Sequence, residues 1–113
     1  MAGVLYDGFT LQGTVTGGAS TTATLTRAVT FYDFSVFATG AQGGGTITLQ
    51  NAGNAISDAV ACATDKAVDR ATTFDDAQIN ANSGVVITFA AAGAATAGVG
   101  NALCYVQGAG VNQ

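Results

Sequence analysis

General acid–base chemistry at neutral pH relies mostly on His, or on a Glu tuned by its surroundings, and this 113-residue sequence contains neither. All seven acidic residues are Asp: Asp7, Asp33, Asp58, Asp65, Asp69, Asp75 and Asp76. The hydroxyls of Ser20, Ser35, Ser57 and Ser83 lie outside any nucleophile-elbow context. No imidazole exists to activate them or the thiols of Cys62 and Cys104. Lys66, the single lysine, would need burial to become a nucleophile; beside Asp65 and near Asp69 it reads as a solvated ion-pair partner. These residues predict no catalytic group and a protein that is not an enzyme.

Binding chemistry is equally sparse. Five carboxylates, from Asp58 to Asp76, supply the oxygen ligands that suit Ca²⁺, but EF-hand spacing is missing. Capping of turns and pairing with Lys66 and Arg70 account for them instead, so no metal ligand is assigned. Cys62 and Cys104 are expected to be free and buried, behaving as small apolar residues, with a disulfide between neighbouring strands as the alternative. With no His to complete a tetrahedral set, they do not make a zinc site. The run Gly40 to Thr46 is glycine-rich but lacks the lysine of a phosphate loop and reads as a hairpin turn, so no cofactor is expected. Tyr6, Tyr32, Tyr105 and the six Phe residues, without any Trp, read as core or subunit contacts before a sugar-binding platform. Arg27, Lys66 and Arg70 are the only cations against a net charge of −4, so no basic stripe exists for nucleic acid.

The elements that must carry these residues are strands. Apolar residues make up 49% of the chain, enough to drive folding, whereas charged residues make up 9%, against roughly 25% in an ordinary domain. Glu and Lys, the usual helix-surface residues, are almost absent. Length predicts one domain over residues 1–113, with residues 1–8 as an extended N-terminal arm. Strand signals run over Val4 to Tyr6, Phe9 to Thr16 and the long stretch Thr22 to Ala38. In that stretch Leu25, Val29 and Phe31 share one parity and Phe34 and Val36 the other, which predicts a bulge or a change of sheet near Tyr32-Asp33.

Gly40 to Gly45 is read as a turn, Thr46 to Gln50 as a strand with Ile47 and Leu49 inward, and Asn51 to Asn54 as a tight turn. Ile56, Asp58, Val60 and Cys62 share a face, with Asp58 near a strand edge. For Asp65 to Asn82, short strands at Ala67 to Phe74 and Ala77 to Ile79 are preferred to a helical turn capped by Thr72 or Thr73. Val85 to Ala90 is expected to be a strand buried on both faces, Ala91 to Gly98 a loop, and Ala102 to Gln107 the last strand. About eight short strands predict an all-β, two-sheet sandwich of jelly-roll type. The Thr-x-Thr pairs are too irregular for a β-helix. No cationic leader precedes an apolar stretch and no run approaches ~18–20 apolar residues, so cytoplasmic synthesis and no membrane segment are expected.

Three segments carry a resemblance: Asn51-Ala-Gly-Asn-Ala-Ile-Ser-Asp-Ala-Val-Ala, Asp65-Lys-Ala-Val-Asp-Arg-Ala and Gly84-Val-Val-Ile-Thr-Phe. From about residue 30 onward the chain resembles small virion structural proteins of tailed bacteriophages, in style and order rather than through a diagnostic motif. The resemblance implies a capsid decoration (cement) subunit on the virion surface, a compact jelly roll, a homotrimer at local threefold positions, and the major capsid protein as partner. A chain this poor in charge suits burial in oligomer and shell contacts. A tail or fibre component is the alternative within the same virion. A Thr-rich β module facing carbohydrate or ice is the alternative from another class.

Overall fold

The computed structural model describes residues 8–39, 45–62, 64–93 and 97–107. Among them ten strands and no helix occur: β1 (Gly8–Thr16), β2 (Thr21–Thr24), β3 (Val29–Ala38), β4 (Thr46–Asn51), β5 (Asn54–Ala55), β6 (Val60–Ala61), β7 (Val68–Arg70), β8 (Asn80–Ala81), β9 (Val86–Ala92) and β10 (Ala97–Val106). They form two five-stranded antiparallel sheets. The first runs β1-β10-β3-β7, with β8 also on β3; the second runs β2-β9-β4-β5, with β6 also on β4. The all-β two-sheet sandwich expected from composition is therefore the fold.

The pairing follows one rule. β1 pairs with β10, β2 with β9, β3 with β7 and β8, and β4 with β5 and β6, all antiparallel. The chain is thus one long ribbon doubled back on itself, and its tip is the turn between β4 and β5. Ala52 and Gly53 occupy that turn with φ of 50° and 89°. Positive φ at both central residues is the primed geometry whose twist matches that of flanking strands. The ribbon then folds over so that β10 also meets β3 and β9 also meets β4, which closes two layers.

Alternation supplies the core between the layers. β4 reads half-buried, buried three times over, with Ile47, Leu49 and Asn51 inward, and β10 repeats the same alternation along ten residues. Phe31, Phe34, Phe89, Ile47, Leu49, Ile56 and Ile87 are the largest fully buried side chains. Asn51 is one of two buried polar residues, with Ser57; its Nδ2 donates to the carbonyls of Gln78 (3.0 Å) and Asn80 (3.3 Å), which ties β4 to the segment leading into β8 across the sandwich. The parity switch in β3 is a bulge: Leu103 faces Asp33 and Cys104 faces Phe31, so Tyr32 is the extra residue.

Several expectations change. Thr22 to Ala38 is two strands in different sheets, because the chain crosses layers between Thr24 and Val29. Of the expected strand through Ile56 to Cys62 only β6 forms, with β5 ending just before Ile56, and Ala67 to Phe74 shrinks to β7 plus a bridge between Ser57 and Phe74. Ala77 to Ile79 is not a strand: Asp75 Oδ1 accepts the Ala77 amide and the Asp75 carbonyl accepts that of Gln78, which makes a turn ahead of β8. Val85 to Ala90 is not buried on both faces, since Val86 is 41% exposed and Thr88 half-buried. Ala91 to Gly98 is not all loop. β9 continues to Ala92 and β10 begins at Ala97, whereas residues 94–96 lie outside the described residues. A Cβ on Gly98 would lie 2.8 Å from Cys62 Sγ, so this small residue is a strand position onto which a larger side chain packs. The expected strand Val4 to Tyr6 and most of the Gly40 to Gly45 turn lie outside the described residues, as does the arm at residues 1–8 except for Gly8, the first residue of β1.

Candidate interaction surfaces

Register decides which side chains leave the core outward. On the first sheet, Val99 lies between Thr14 and Phe37, and Phe37 faces Val68. The next row is polar, with Gln12, Asn101, Ser35 and Arg70 side by side. Gln12 Nε2 donates to Asn101 Oδ1 at 2.8 Å. Beyond it Thr10, Leu103 and Asp33 align, and then Gly8, Tyr105 and Thr30. The bulge turns Tyr32 out onto this face, where its ring stands 6.1 Å from that of Tyr105, tilted by 31°. Tyr32 is 54% exposed, Phe37 36% and Val68 62%. Arg70 pairs with Asp33 at 3.2 Å between these apolar ends. The face is amphipathic and aromatic, the composition found at the anchors of protein–protein contacts.

The second sheet's outer face differs. Thr22 faces Thr88, which faces Gln50; Thr48 faces Ala90; Thr46 faces Ala92; Thr24 faces Val86. β2, β4, β5, β6 and β9 contain no charged residue. Two of the Thr-x-Thr pairs seen in the sequence, Thr22/Thr24 and Thr46/Thr48, therefore lie on one flat neutral face, whereas Thr14/Thr16 belongs to the other sheet.

Within the acidic segment Asp58 and Asp75 serve as turn caps. Asp58 Oδ1 accepts the amides of Thr72 (2.9 Å) and Thr73 (3.3 Å), and Oδ2 accepts the Thr72 hydroxyl (2.8 Å). Asp58 and Asp75 border a shallow groove of roughly 280 Å³ with Ile56, Thr73 and Phe74, but both carboxylates are taken by backbone amides. Lys66 Nζ pairs with Asp65 at 3.0 Å at the surface. Among the described residues no three of His, Cys, Asp or Glu gather in a metal-binding group. Partial burial raises the Asp58 pKa, yet the hydrogen bonds from Thr72 and Thr73 outweigh it and hold the carboxyl below its ordinary value of 3.8. The folded value lies below the unfolded one, so the stabilisation is complete above about pH 3.8 and disappears as pH falls through the folded value. Urea midpoints measured near pH 5 and near pH 2.5 should therefore fall more for the wild type than for Asp58→Asn; equal falls would refute the assignment.

Cys62 and Cys104 are free and buried, as expected. Their thiols donate to the carbonyls of Ala97 (3.4 Å) and Phe9 (3.6 Å), and burial pushes Cys104 up to about 11. A thiol with so little thiolate is a packing element. Ser57 is buried, with its hydroxyl donating to the Asp58 carbonyl and accepting the Leu49 amide, so it too serves structure. Sequence reasoning did not find the Tyr32–Tyr105 pair; the parity switch at Tyr32-Asp33 was the signal that one aromatic leaves the core. No protein-family model, curated protein or solved structure matches this chain.

Proposed function

We propose that the chain is a structural subunit of a tailed-phage virion, a decoration or cement protein that binds the outside of an assembled capsid as a homotrimer and stabilises it. The observation that carries this reading is the outer face of the first sheet, where Tyr32, Tyr105, Phe37 and Val68 stand exposed or half-buried on a chain with few charges. Such a face suits docking on the major capsid protein. The winding supports it as well. With β5 and β6 counted as one interrupted strand, and β7 and β8 as another, the sheets read 1-8-3-6 and 2-7-4-5, the order of a jelly roll. The mechanism is mass action: a subunit that binds only the assembled lattice stabilises that state, and many modest contacts add through avidity.

The test starts from purified tailed virions in which peptide mass spectrometry finds this chain. Decoration subunits are stripped off with mild denaturant and the purified protein is added back. The expected result is saturable binding to shells but not to unassembled capsid subunits, with shell rupture moved to higher temperature. Binding to tails or fibres alone would sink the capsid assignment in favour of the tail alternative.

A second reading is favoured by the neutral Thr face of the second sheet: a module that presents ordered hydroxyls to ice or carbohydrate. Thermal hysteresis, or retention on a glycan array, that disappears on Thr48→Lys would establish it.

A further inference from the structure

Three of the four sheet edges are short or broken. β2 has four residues, β5 and β6 two each, and the β7/β8 edge has three and two with Asp69 and Arg70 among them. Short, interrupted and charged edges are the usual protection against unwanted strand pairing. β1 has none of it. Its nine residues include no charge, and the register with β10 is unbroken from Gly8 to Thr16.

The direction of its free backbone groups can be read from its neighbours. The Ala97 carbonyl accepts the Thr39 amide, so odd-numbered residues of β10 turn toward β3 and even-numbered ones toward β1. By register, Phe9, Leu11, Gly13 and Val15 then bond to β10, and even-numbered residues of β1 face away. The Thr14 carbonyl accepts the Thr21 hydroxyl and the Thr16 carbonyl accepts the Ala19 amide, which agrees and covers that end of the strand. Gly8, Thr10 and Gln12 are left with outward N–H and C=O groups, and among the described residues β1 pairs with β10 alone. Phe9, 39% exposed, and half-buried Leu11 lie on the inner row of the same stretch.

We infer that this edge is a self-association site: β1 of one copy pairs antiparallel with β1 of a second copy, around a twofold axis at Thr10. Net charge of −4 opposes contact between identical chains except through a neutral surface, and neither β1 nor β10 carries a charge. Centring on Thr10 places Gly8 opposite Gln12 of the second copy, gives partners to the outward groups of Gly8, Thr10 and Gln12, and covers Phe9 and Leu11. The contact is isologous and joins two sheets into one. It does not depend on shell binding and is compatible with threefold association, since a twofold contact can join copies from separate trimers.

Thr10→Pro tests it, because by register the Thr10 N–H points away from β10, the one strand that β1 pairs with among the described residues, and an edge strand tolerates proline there. Light scattering of the full chain should give an even number of copies for the wild type and half that mass for Thr10→Pro, with the circular dichroism unchanged. Thr10→Cys provides the second arm. A hydrogen-bonded antiparallel pair has Cα atoms about 5.5 Å apart, within disulfide range, so mild oxidation should give a reducible covalent dimer that Thr14→Cys does not give. An odd-numbered wild type, a Thr10→Pro mass equal to wild type, or no cross-link would each overturn the inference. A wild-type trimer without the cross-link would overturn it while leaving the capsid reading intact; an even-numbered, cross-linked species absent from virions would do the reverse.

Discussion

Gly13→Ala should destabilise the protein by about 3 kcal/mol, although alanine in place of glycine within a strand ordinarily stabilises by roughly 0.5–1 kcal/mol. The sign reverses because of Phe89. A Cβ on Gly13 would lie 2.2 Å from Phe89 Cδ1 and 2.5 Å from Cγ, well inside contact distance. Gly13 faces Gly100 across β1 and β10, and a Cβ on Gly100 would lie 2.7 Å from Phe89 Cδ2 and 3.1 Å from Phe34 Cε1. The ring from the second sheet therefore rests on a platform of two cross-strand glycines in the first, and is fully buried, with the Phe34 ring 6.1 Å away. Close-packed interiors do not yield freely, so an added methyl must move the ring or part the strands. Combining Gly13→Ala with Phe89→Leu should return at least about 1 kcal/mol relative to the sum of the single changes, because the pair shares one contact. Urea denaturation of the four proteins reads this directly. A Gly13→Ala protein as stable as wild type would show that the platform is not what seats the ring.

That platform explains what was legible in the sequence and what was not. Strands whose own residues alternate were readable: Thr46 to Gln50 exposes its inward Ile47 and Leu49 without help from any other segment. The Ala52-Gly53 turn and the Tyr32 bulge were readable too, since each follows from local chemistry or from parity along a single strand. Gly98 and Gly100 were not, because the hydrophobic half of their contact belongs to Cys62, Ile47 and Phe89, and small residues look alike in a loop and under a ring. The stretch from Asp65 to Asn82 failed for another reason. Its strands are two or three residues long, and side chain to backbone bonds such as those of Asp58 with Thr72 and Thr73 hold it in place. Such bonds have no period to detect. As for function, the shortage of charge and of acid–base groups was visible at once, but the faces were not. Whether a given Thr or Tyr leaves the sandwich outward depends on register, and register is a property of strand pairs.

The larger functional effect is expected on the aromatic face. Tyr32→Ser combined with Phe37→Ser should weaken binding to shells by several hundred-fold or more, since aromatic anchors at the centre of an interface are each worth about 2 kcal/mol or more and 1.4 kcal/mol is tenfold. The fold should survive, because Tyr32 is a bulge residue with its side chain largely outside the core and Phe37 is exposed at the far end of β3. Matched changes on the opposite face, Thr22→Ser with Thr48→Ser, remove only methyl groups and should leave shell binding unchanged. The comparison separates the two faces and the two functional readings together. If the aromatic pair is dispensable while Thr48→Lys abolishes attachment, the neutral Thr face meets the shell and the exposed rings serve contacts between copies. If the aromatic double variant and Thr48→Lys both bind like the wild type, neither flat face carries the interaction, and the ends and edges of the sandwich must hold it. Sedimentation with shells over a range of protein concentrations distinguishes these outcomes, because a loss of several hundred-fold moves half-saturation beyond any concentration at which the wild type still dissociates.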